Sequence, residues 1–305
     1  MLRELPLVIF TIIAQMSVGS FVVLGLIHLF GGRAGRDVID KVSDPALYAI
    51  GPILVLGLLA SVMHLGTPIR AVNALGHLSS SWLSREILFG LLFAAIGGAF
   101  ALSQWFKWLT PRLRQALAGL AALVGIALIW SMTMVYLLPT VPAWDSWATP
   151  GRFFATTFLL GSLAVGAALV VTADVRRRRG APLDEASERV IMSSLRGIAI
   201  AAIAMLGVEF VVLPLYMGKL ATDGSAATAA SSGALVTTYA GYGAIQLVLV
   251  FFGVALLGIF LSRLAKRFSA ARLLAIAPVA AFVLVLAGEV IGRMLFYASY
   301  ARVGL

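Results

Sequence analysis

The residues best equipped for chemistry lie together in one polar stretch, MHLGTPIRAVNALGHLSSSWLSRE, from Met63 to Glu86. It holds His64 and His77, two of the three histidines, with Arg70, Arg85 and Glu86. A neutral imidazole accepts a proton near physiological pH. A carboxylate at hydrogen-bonding distance can act as a second base. Gly66 and Pro68 suit a sharp, fixed turn that keeps His64 and Arg70 close. A histidine, a carboxylate and an arginine arranged in this way could hydrogen-bond a small polar head group and take up its protons.

The elements that must position these residues are membrane helices. Of 305 residues, 61% are hydrophobic and 12% charged, and the mean hydropathy is +1.01. These values lie far outside the soluble range. The apolar runs exceed the roughly 20 residues a helix needs to cross about 30 Å of hydrocarbon. A β-barrel would instead show segments of about 10 alternating residues. The sequence has no cysteine, which leaves no disulfide, no thiolate-held iron–sulfur cluster and no cysteine-ligated zinc. A net charge of +10 in such a protein reflects orientation and anionic lipid rather than nucleic acid.

The pattern predicts an all-α integral membrane protein: one domain over 1–305, a bundle of eight transmembrane helices. The expected spans are 5–30, 44–64, 84–106, 113–138, 150–174, 190–215, 235–262 and 270–297. The first opens with Pro6, tolerated in a first helical turn, and Asp44-Pro45 opens the second. Fifteen basic residues fall in the connections after spans one, three, five and seven, including Arg33, Arg36, Lys41, Lys107, Arg112, Arg114, the run Arg176–Arg179 and Arg267. Only six (Arg3, Arg70, Arg85, Arg152, Lys219 and Arg302) lie in the termini and the other connections. The positive-inside rule therefore puts both termini, and the His64–Glu86 stretch, on the periplasmic side of a bacterial inner membrane.

Polar residues within spans are functional candidates because each is costly in lipid. Glu289 and Arg293 sit four apart on one face and are expected to pair. Glu209 has no basic neighbour within a turn, and a proton path or a buried hydrogen bond would each account for it. Glu86 is expected in the first turn of span three, where a helix N-terminus favours negative charge, with Ser84 as the cap. Alone it is an ordinary first-turn glutamate; beside His64, Gly66 and Arg70 it suits a quinol, which needs an acceptor at each hydroxyl, apolar walls and a lateral entrance. Trp144 and Trp147 fit an interfacial aromatic belt or a docking surface, and 222–233 reads as small, polar and mobile. Haem is not expected: bis-histidine ligation needs two imidazoles at one depth, whereas His28 and His64 fall at opposite ends of spans one and two, on the order of 25 Å apart. The same shortage of ligands argues against a metal site.

Four pieces together resemble the membrane-anchor subunit of dimethyl sulfoxide reductase-type molybdoenzymes, the DmsC family. They are LPLVIFTIIAQMSVGSFV, HLGTPIRAVNALGHLSSSWLSRE, VPAWDSWATP and GEVIGRMLFY, in that order along the sequence. The resemblance implies a haem-free anchor with periplasmic termini. It would oxidise quinol, typically menaquinol, near the periplasmic face and pass electrons to a ferredoxin-like iron–sulfur subunit and a molybdopterin catalytic subunit. The family's quinol-site histidine and glutamate fall on His64 and Glu86, with Gly66 and Arg70 beside them. After Glu86 this sequence is apolar until Ser103–Gln104, which departs from the family's polar positions in span three. Two alternatives remain at this point: a polysulfide reductase-type quinone-reactive anchor, and an ion transporter or channel using Glu209 and the Glu289–Arg293 pair. The transporter reading lacks paired mid-membrane Gly/Pro breaks in the two halves of the sequence.

Overall fold

The computed structural model describes residues 4–30, 35–63, 75–264 and 271–303. Among them there is no strand. The long helices are α1 (Leu5–Phe30), α2 (Arg36–Met63), α3 (Trp82–Phe106), α4 (Pro111–Tyr136), α5 (Ala148–Arg178), α6 (Glu185–Thr222), α8 (Ala240–Leu264) and α9 (Ala271–Ala298). A short α7 (Ala226–Gly233) and a π-helical turn, Ala234–Thr238, lie between α6 and α8. Among the described residues, seven helices are long and apolar enough to cross a bilayer: α1, α3, α4, α5, α6, α8 and α9. The molecule is thus a multi-pass membrane protein.

Helix α2 begins at Arg36, well before the expected start at Asp44. Its first turns are charged and pass straight through Pro45. They are helical because their carboxylates are matched elsewhere. Lys107 Nζ lies 2.9 Å from Asp40 and 3.4 Å from Asp44, and Gln104 Nε2 donates to Asp44 at 2.9 Å. Helix α6 also overruns its expected edges. It has 38 residues, about 57 Å at 1.5 Å per residue, so it must project well beyond the hydrocarbon. Its N-cap is Asp184, which accepts from Ser187 N at 2.8 Å and pairs with Lys41 Nζ at 3.0 Å. The Ser187 N–H and the Lys41 ammonium hold the Asp184 carboxyl below the usual carboxylate range.

The segment 222–233, read from its composition as a linker, carries the helix Ala226–Gly233. Ser225 caps α7 through Thr228 N at 3.1 Å, and buried Ser231 donates to the carbonyl of Ser299 at 2.8 Å. Trp144 is likewise no interfacial anchor. It is buried, its indole N–H donates to Phe296 O at 2.8 Å, and its ring stacks on Phe296 at 5.2 Å. Trp147 is the exposed one.

Helices α1 and α5 form the centre of the bundle. In each, 72% of the most apolar window is buried, against 22% in α6. Small residues let their backbones meet, the device helices use where lipid supplies no hydrophobic drive. A Cβ added at Gly19 would lie 3.1 Å from Gly161 Cα and run into the Thr157 carbonyl; one at Gly161 would run into the Gly19 backbone. Ser20 Oγ donates to Gly161 O across the same crossing at 3.4 Å. Gly161→Ala should therefore cost about 3 kcal/mol, the upper part of the usual overpacking range, read as a lowered unfolding midpoint in detergent. Gly98→Ala, whose new methyl meets nothing within 4 Å, should be neutral or slightly stabilising. Equal effects would sink the close-packing account.

Candidate functional site

Helix α3 carries Glu86 to its place, one turn deeper than expected. The 3₁₀ turn Leu75–His77 feeds the helix early: Ser80 N and Ser81 N both donate to His77 O, at 3.2 and 2.9 Å. The cap is then Ser81, whose hydroxyl accepts from Ser84 N at 3.3 Å. The helix starts at Trp82, so Glu86 stands in the second turn and Ser84 is an interior residue rather than the cap. Arg85 does not serve Glu86. Its Nε donates to Leu78 O at 2.8 Å and its Nη2 to Ser79 O at 2.7 Å, while its guanidinium lies over Trp82. It fastens the turn to the helix. His77 is exposed in that turn.

Glu86 points inward and is only 7% exposed. Among the described residues no side chain donates a hydrogen bond to it. Within electrostatic reach are the phenols of Tyr136 and Tyr297, which share a hydrogen bond of 2.7 Å between α4 and α9. Those phenols belong to an aromatic cluster with Trp144, Phe153 and Phe296, in which Tyr136 makes edge-on contacts at 5.3–5.7 Å. The result is a carboxylate at one end of the bundle, apolar and aromatic on its inner side. His64, Gly66 and Arg70 lie outside the described residues.

A second polar cluster sits beside the first. Arg293 and Glu289 do not form the expected ion pair. Arg293 Nη2 donates to Gln15 Oε1 at 2.7 Å, and its guanidinium lies 3.6 Å over the ring of Phe153. Glu289 Oε2 accepts from Thr156 Oγ1 at 2.7 Å, and the carboxyl of Glu209 lies within hydrogen-bonding reach of Glu289. The reason is a competitor the sequence reading missed: buried Gln15 of α1, fixed by its own donation to Phe153 O at 2.8 Å, takes the guanidinium. A glutamine inside so apolar a run was the available signal. Glu209 of α6, with no basic residue within a turn of its own helix, has charged neighbours on other helices: Glu289 and Arg152 both lie within its electrostatic reach. Arg152, Glu289 and Arg293 line a cavity of about 20 Å³ with Tyr216 and Thr156, enough for one water molecule.

The site of the first cluster is assembled from α3, α4 and α9, which are far apart in sequence, and similarity to other proteins runs over the same length. The family described as "DMSO reductase anchor subunit (DmsC)" matches residues 1–299. The protein is 34% identical to one chain of the anaerobic dimethyl sulfoxide reductase of Escherichia coli K12, over 99% of its own length and 97% of that relative. It is 32% identical to a further anaerobic dimethyl sulfoxide reductase chain of the same organism, YnfH, over 99% and 97%. A shorter match, 32% over 34% of its length and 36% of the relative, is to a sulfite dehydrogenase subunit of Allochromatium vinosum. By the extent of the family match and of the two full-length relatives, the protein belongs to the DmsC family of DMSO reductase anchor subunits.

Proposed function

We propose that this anchor binds and oxidises quinol, typically menaquinol, at the end of the bundle marked by Glu86, and hands the electrons to an iron–sulfur subunit that feeds a molybdopterin catalytic subunit. The observation that carries the reading is Glu86 itself: a buried carboxylate with no hydrogen-bond donor among the described residues, flanked by apolar and aromatic walls. A carboxylate in that setting is poised to accept from an entering hydroxyl. His64 takes the other hydroxyl, and Gly66 and Arg70 hold the turn and the head group.

In this reading α2 is the eighth span, both termini are periplasmic, and the membrane is the bacterial inner membrane, as the distribution of basic residues supports. The reaction balances as quinol to quinone, two protons and two electrons. His64 and Glu86 accept the protons and release them to the periplasm. The electrons leave on the same side to the partner's cluster, since this sequence offers no cysteine to hold one, and no net charge crosses the membrane. The relative named as a sulfite dehydrogenase subunit supports a second direction. With a dehydrogenase as partner, the same two residues would deliver protons to a quinone.

The test is His64→Arg in the purified complex, with metal analysis confirming the co-purified partners. Quinol-driven reduction should fall at least about 100-fold, while reduction by an artificial donor that enters at the iron–sulfur subunit stays intact. Normal quinol oxidation in that variant would remove His64 from the site.

A further inference from the structure

A large cavity lies towards the opposite end of the bundle from Glu86. It has a volume of about 570 Å³ and opens between α1, α2, α3 and α4, within the size range of small-molecule sites. Gln104 lines it at the far end of α3, eighteen residues beyond Glu86 and so about 27 Å away along the helix. It is therefore separate from the Glu86 site, and a ligand bound there is independent of the quinol reading.

The cavity has two chemically distinct parts. Its wall is apolar and continuous with the outer surface of the bundle, where Leu26, Leu29, Leu123 and Ile126 are exposed. Its head is polar, made by His28, Arg36, Asp40, Ser43, Gln104 and Arg114. Most of those groups are already engaged with each other. Ser43 Oγ lies 2.8 Å from His28 Nε2 and 2.9 Å from Ile39 O, so the imidazole and the hydroxyl already share a hydrogen bond. Arg114 Nη1 donates to Gln104 Oε1 at 2.5 Å and lies 3.8 Å from Asp40. Lys107 covers the remaining charge on Asp40 and Asp44.

What is left over is positive. Of the ionisable acids and guanidiniums that line the cavity, one carboxylate, Asp40, stands against two guanidiniums, Arg36 and Arg114. Arg36 has no ion pair among the described residues, and Arg114 Nε is buried with no hydrogen-bond partner among them. A buried, unused guanidinium N–H beside a net positive charge calls for an anionic acceptor. The apolar wall running out to the bilayer calls for a long hydrocarbon chain on the same molecule. The end concerned is the arginine-rich one, where basic pockets between helices take anionic head groups.

We propose that this cavity is a specific site for an anionic phospholipid, its phosphate held by Arg114 and Arg36 and its acyl chain lying along Leu26, Leu29, Leu123 and Ile126. The lipid would bridge the first turn of α2 to the α3–α4 hairpin, bracing the helix whose other end leads to His64. A neutral quinone fits less well, because it would leave the surplus charge uncompensated.

The experiment uses the purified complex, delipidated in mild detergent and offered phosphatidylglycerol or phosphatidylcholine, with retained lipid counted by native mass spectrometry. Phosphatidylglycerol should be retained roughly tenfold more tightly. Arg114→Gln should bring the two lipids close to equality, and so, to a smaller extent, should Arg36→Gln, an exposed position that tolerates change. Ala122→Trp, on the apolar wall, should abolish retention of both while artificial-donor activity persists. Equal retention of the two lipids by the native complex would overturn the proposal. So would phosphatidylglycerol binding that survives both arginine variants, or its ready displacement by a neutral quinone.

Discussion

Glu86→Lys should abolish quinol-driven turnover of the assembled complex, and Glu86→Gln should lower it about 100-fold, with artificial-donor activity retained in both. The two variants fail for different reasons. Lysine puts a positive charge on a position only 7% exposed, against the Tyr136–Tyr297 pair, where a proton has to be received. Glutamine keeps the size and can still accept a hydrogen bond, but it cannot take the proton away. Artificial-donor activity reports that the subunits have assembled, so a loss confined to quinol-driven turnover locates the fault at the site. Glu185→Gln, at an exposed side chain on the arginine-rich end, should leave both rates unchanged. A Glu86→Gln complex that oxidises quinol at the native rate would show that this carboxylate is not the proton acceptor.

Glu86 was legible in the sequence for a simple reason. A charge inside so apolar a protein is expensive, so wherever one occurs it points to a partner or a task. The same logic found Glu209, Glu289 and Arg293, but it could not say who pairs with whom. Gln15 takes the guanidinium of Arg293 from across the bundle, a contact between residues 278 positions apart that no helical spacing rule contains. The aromatic surroundings of Glu86 were invisible for the opposite reason. Tyr136, Phe296 and Tyr297 sit in apolar runs where an aromatic ring looks like any other core residue. Trp144 was misread because an aromatic among prolines resembles an interfacial anchor until its indole N–H is seen to meet Phe296 O.

The fold was legible where hydropathy and helix coincide, as in Leu5–Phe30, and illegible where they part. Hydropathy marks the apolar portion of a helix, not its ends. The charged start of α2 is helical because Lys107 and Gln104, some sixty residues away, satisfy Asp40 and Asp44. The extra turns of α6 rest on the Asp184 cap and its Lys41 partner. The segment 222–233 has the composition of a linker, yet one hydroxyl, that of Ser231, ties it to the far end of α9. Each of these is a tertiary interaction overriding a local signal.

Arg293→Met should destabilise the protein by about 3–5 kcal/mol, the cost of removing one member of a buried charged cluster. The guanidinium has three roles at once. It donates to Gln15, covers the face of Phe153 and sets a positive charge near Glu289, whose carboxyl lies beside that of Glu209. Methionine of similar length fills much of the space but performs only the packing role. Arg293→Lys keeps the charge yet cannot lie flat on the ring while donating in its plane, so an intermediate loss is expected. The decisive measurement is the double variant Arg293→Met with Glu289→Gln. If the cost of the single change comes from an uncompensated carboxylate, neutralising Glu289 should recover about 1–3 kcal/mol relative to the sum of the two single losses, as interacting neighbours do. Strict additivity in chemical unfolding would mean that Arg152, which lines the same small cavity, and Glu209 already balance Glu289, and that Arg293 acts through Gln15 and Phe153 alone.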